Sequence, residues 1–86
     1  MMSMVQELIM AVAGAERQLD DQIMKLHSYD GQIDQVMQRV EAAFSGSTRE
    51  YGREMLGQLS ATKAQVRDTM EKLQVAKDKL MQVRMI

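Results

Sequence analysis

The sequence predicts an all-α chain: a single antiparallel helical hairpin over residues 1–86, expected to complete a four-helix bundle as a dimer. Three observations lead there. Proline is absent and glycine occurs only five times, so little in the chain interrupts a long helix. Apolar residues recur at alternating steps of three and four through both halves, the spacing of a helix–helix seam. Each half also opens on a helix-start signature.

The first helix is expected from about Ser3 to Ala43. Ser3 and Gln6 have the spacing of a capping box, in which each side chain satisfies a backbone N–H of the other. From Val5 the apolar walk runs through Leu8, Val12, Ala15, Leu19, Gln22, Leu26, Tyr29, Ile33, Val36, Val40 and Ala43. Gln22 is its one polar break, placed either to set register or partner choice or at a wet edge. Asp30-Gly31 would suit a turn, but the walk passes through it without a change of phase. A helical Gly costs only about 1 kcal/mol, so a continuous or mildly kinked helix is expected.

The turn falls at Phe44-Ser45-Gly46-Ser47. Gly46 is suited to the positive φ of a helix exit, and Ser47 with Glu50 forms a second capping box. The second helix is expected over about 48–85. Its walk is Met55, Leu59, Thr62, Val66, Thr69, Leu73, Ala76, Leu80 and Val83, with Thr62, Thr69 and Ala76 small enough to admit a neighbouring helix closely. A connection this short makes the two helices antiparallel neighbours.

A second apolar row flanks this walk: Ile9, Ile23 and Met37 on the first helix, Leu56 and Met70 on the second. Two helices packed along the main walk would leave most of that row wet, and a stripe this wide asks for more helices. A short chain without disulfides also has little core to offset its ordering entropy. Pairing with a second copy or with a related hairpin is therefore expected.

Composition narrows the function. Eleven basic and twelve acidic residues nearly cancel, unlike the basic excess of a nucleic-acid binder. Tyr29, Phe44 and Tyr51 are too few aromatics for a base-stacking platform. The ten methionines suit adaptable helix contacts. Leu8 to Ala15 is apolar, but Glu7 stands where a signal peptide would be positive, and no apolar run approaches the ~20 residues of a membrane span.

Catalytic chemistry finds little support. There is no Cys, and His27 is the only His; it projects onto the helix flank, with Asp30 the one carboxylate near it at ligand spacing. Asp20, Asp21 and Asp34 read as a solvated face. Arg67, Lys72, Lys77, Lys79 and Arg84 read as a basic helix end that complements the dipole, interleaved with Asp68, Glu71 and Asp78. No enzyme activity, cofactor, metal or small-molecule substrate is expected.

Around the turn, Glu41-Ala42-Ala43-Phe44-Ser45-Gly46-Ser47, with Tyr51 following, resembles the WXG family of small type VII secreted proteins (the Esx proteins). There the motif is usually Trp-x-Gly; here it is Phe44-Ser45-Gly46. The resemblance implies a helical hairpin exported folded, as a homodimer or heterodimer, by a membrane ATPase machine of Gram-positive bacteria. It also implies a cytoplasmic stage before release to the cell surface or medium, and partners such as a second hairpin or the helical N-terminal region of a toxin. The family's Tyr-x-x-x-Asp/Glu signal does not follow the second helix, so the resemblance implies either a missing tail or a partner that carries the signal, which favours an adaptor exported with, or assisting, its partner. A type III secretion chaperone and a non-secreted coiled-coil module are the alternative readings.

Overall fold

The computed structural model describes residues 3–44 and 49–85, apart from the Arg49 side chain. Helix α1 spans Met4–Phe44 and α2 spans Arg49–Met85. They pack against each other along their length as an antiparallel hairpin. The molecule measures 69 × 16 × 13 Å, with a radius of gyration of 19.6 Å. A compact domain of this length would have roughly 12 Å, so the rod has far more surface than interior.

The first capping box forms as expected. Gln6 N donates to Ser3 Oγ at 3.2 Å, and Ser3 N donates to Gln6 Oε1 at 3.3 Å. Ser45, Gly46 and Ser47 lie outside the described residues, and with them the turn motif's glycine and the second capping box; Glu50 is exposed in the first turn of α2. α1 continues without a break through Asp30-Gly31.

The seam differs from the expected walk in every second position. On α1 the covered row is Val12, Glu16, Leu19, Ile23, Leu26, Asp30, Ile33, Met37, Val40 and Phe44; on α2 it is Gly52, Leu56, Leu59, Lys63, Val66, Met70, Leu73, Lys77 and Leu80. Both keep the alternating three-four step. Ile23, Met37, Leu56 and Met70, expected to stay wet beside the seam, are half-buried within it. Leu8, Tyr29, Val36, Met55 and Val83, expected inside, are exposed. The walk from Val5 has two apolar continuations, and the hairpin closes on the one that also carries charge. Buried hydrophobic residues are Val12, Ile33, Val40 and Val66, and no large side chain among the described residues is fully covered.

Phe44 and Gly52 close the packing at the turn end. A Cβ on Gly52 would stand 3.0 Å from Phe44 Cβ and 3.3 Å from its Cγ. Gly52 is buried there because the aromatic residue occupies the space that a side chain would need.

Candidate interaction face

Charged residues within the seam are paired across it. Lys63 bonds to Asp34 and lies 3.8 Å from Asp30; Arg67 approaches Asp30 at 3.5 Å. Lys77 meets Asp20 at 2.5 Å, and Arg84 meets Glu16 at 3.4 Å. With the Phe44–Gly52 contact these pairs define the register: 44 lies beside 52, 30 beside 63 and 67, 20 beside 77, and 16 beside 84. Asp20 and Asp34, read from sequence as a solvated face, instead serve α2; Lys77 and Arg84 do more than complement a helix dipole. Asp30 is a cross-helix partner, which explains its place beside Gly31 in an unbroken helix.

The hydrogen bond from Lys77 to Asp20 raises the Lys77 pKa above its ordinary 10.5, with the Asp20, Glu16 and Asp78 charges adding to it and burial opposing it. A raised pKa means that the charged form is favoured by folding. The contribution is complete below 10.5 and is lost only as the pH rises through the higher folded value.

The ion pairs give the hairpin two unlike sides. Asp20, Asp34 and Arg67 each follow a seam residue by one, which at 100° per residue turns them all to one side. Residues that precede a seam residue by one turn to the other. Opposed helices related by a two-fold axis normal to their common plane keep their sides, so these preceding rows share one face. On α1 the row nearest the face normal is Leu8, Ala15, Gln22, Tyr29, Val36 and Ala43; on α2 it is Met55, Thr62, Thr69, Ala76 and Val83.

That open face is largely apolar and uncovered. Leu8 is 56% exposed, Tyr29 48% and Val83 47%. At one end Val5, Leu8, Ile9, Val12, Val83 and Arg84 line an open groove of about 240 Å³, which places Leu8 and Val83 on a common surface. Gln22 is exposed in the middle of the face. The two threonines need no outside partner: Thr62 Oγ1 donates to the Gln58 carbonyl at 3.0 Å and Thr69 Oγ1 to the Gln65 carbonyl at 2.9 Å. Small, internally satisfied residues on α2 thus border larger ones on α1, a surface into which another helix can pack dry.

Of the interface residues expected from sequence, Val12, Leu19, Ile23, Leu26, Ile33, Met37 and Val40 hold α1 to α2, with Leu56, Leu59, Val66, Met70, Leu73 and Leu80 opposite them. Val5, Leu8, Ile9, Val36 and Met55 remain exposed. Sequence reasoning missed Gly52, Glu16 and Lys63. The Glu16 signal was its seam spacing four residues after Val12, a position that its charge made easy to pass over.

His27 is exposed. Among the described residues no group of three or more His, Cys, Asp or Glu could hold a metal ion, and no helix is long and apolar enough to cross a membrane. Compared with protein-family models, curated proteins and solved structures, the chain matches none.

Proposed function

We propose that this chain is a pairing module, a helical hairpin that binds a second helical hairpin across its open face, and that it acts as a small partner or adaptor in type VII export. The observation that carries the pairing is the division of the hairpin into an ion-paired side and an uncovered apolar side. A largely apolar face on a rod without a deep core is a surface built to be covered. Export rests on the turn: Phe44 begins the aromatic-x-Gly pattern of the WXG proteins, and its packing on Gly52 gives the aromatic position a physical purpose. A toxin's helical N-terminal region or a second small hairpin would complete the bundle.

The test is co-expression with the products of neighbouring genes in the native host, followed by copurification and assay of the culture medium. A stoichiometric helical partner is expected, with both proteins reaching the medium only when the membrane ATPase is active. Release that is indifferent to the ATPase would remove the export role and leave the pairing. Tyr29→Glu with Val36→Glu should abolish copurification while leaving the helical content intact; an undiminished complex would show that the open face is not the binding surface.

A further inference from the structure

The open face carries a charge pattern that selects among partners. Small or apolar residues hold its middle apart from Gln22, while its outer edges bear Lys25 and Arg39 on α1 and Lys72 and Lys79 on α2, all exposed. Among the described residues that immediately precede a seam residue there is no Asp or Glu, although acids slightly outnumber bases in the chain. Lys25 and Lys72 are each tied to an acid one turn back, Asp21 and Asp68, at 3.0 Å. Those pairs are well exposed and weakly held, so either lysine can exchange its acid for one on a partner at little cost. Arg39 and Lys79 have no ion pair among the described residues.

We propose that the occupant of this face is a helical segment of opposite edge charge, an amphipathic helix or hairpin whose apolar stripe is bordered by Asp and Glu. This inference rests on the pairing reading and narrows it from any hairpin to an acidic-edged one. A second copy of the chain is disfavoured by its own edges. Whichever helix lies over which, lysine, arginine and glutamine meet lysine, arginine and glutamine, and like charges along an interface select against that pairing. An anionic membrane would satisfy the cations but not the middle of the face. Gln22, Thr62 and Thr69 are polar and Ala76 is small, so they offer little apolar bulk to bury among acyl chains, whereas the small size of Thr62, Thr69 and Ala76 suits a close helix.

A suitable probe is the same full chain with Lys25→Glu, Arg39→Glu, Lys72→Glu and Lys79→Glu, which keeps the apolar face and reverses its edges. Circular dichroism checks that it folds, as expected for four exposed positions. Sedimentation velocity then compares the unaltered chain alone with its equimolar mixture with the probe. The mixture should form a one-to-one complex on the order of tenfold tighter than any self-association, with most of that preference lost at about 1 M salt. If the unaltered chain associates with itself as tightly as with the probe, the charge inference fails while pairing stands. If the mixture stays monomeric, or keeps its complex when both chains carry Tyr29→Glu and Val36→Glu, both readings fail. Vesicles of phosphatidylserine and phosphatidylcholine form the last arm: binding there without a complex in the mixture makes a lipid surface the occupant and overturns both.

Discussion

Two glycines of the same fold predict opposite outcomes for the same change. Gly52 is buried against Phe44, and an added Cβ would stand 3.0 Å from a Phe44 atom fixed to the α1 backbone. The helices would have to part there, so Gly52→Ala should destabilise by about 1–3 kcal/mol, as overpacking does. At Gly31 an added Cβ meets nothing within 4 Å, and the position lies inside a helix. Gly31→Ala should therefore stabilise by up to about 1 kcal/mol through helix propensity alone. Urea titrations of both variants beside the unaltered chain measure the two signs. Equal effects would mean that the turn end is not closed by the Phe44–Gly52 contact. Phe44 was legible in the sequence as the aromatic of the turn motif, but Gly52 was not, since nothing local distinguishes a glycine that receives a ring from one that faces solvent.

At the scale of the helices, length and direction could be read from spacing and caps, whereas the choice of face could not. Both continuations of the walk from Val5 share Val12, Leu19, Leu26, Ile33 and Val40. They differ in taking Leu8, Tyr29 and Val36, or Ile23, Asp30 and Met37. Counting apolar residues favours the first set. The hairpin closes on the second because Glu16, Asp30, Lys63 and Lys77 find opposite charges across the seam, a compensation invisible within either helix alone. Asp30 and Lys63 are the least exposed of these pairs, with side chains 14% and 18% exposed. A double-mutant cycle with Asp30→Ala and Lys63→Ala should show a coupling of roughly 0.5–2 kcal/mol. A coupling near zero would mean that charge does not set the register.

The same substitution of one face for the other governs the whole molecule. A two-helix rod that uses its charged row internally keeps its more apolar row for the outside, and its internal core is correspondingly thin: among the described residues Val12, Ile33, Val40 and Val66 are the buried hydrophobic ones. Such a hairpin gains stability by mass action from anything that covers the open face, by an amount that grows with the ratio of free partner to dissociation constant. For the isolated chain the only available cover is another copy, which the cationic edges oppose. Its melting temperature should therefore change by less than about 2 °C between micromolar and hundred-micromolar protein at low salt. Adding an equimolar acidic-edged helical partner should raise it by roughly 5–10 °C, since about 1–2 kcal/mol of linkage moves a domain of this size that far. Thermal scans followed by circular dichroism across that concentration range provide the measurement. A melting temperature that climbs steeply with the concentration of the chain alone would make self-pairing the stabilising event, and the open face would then be an interface between identical copies.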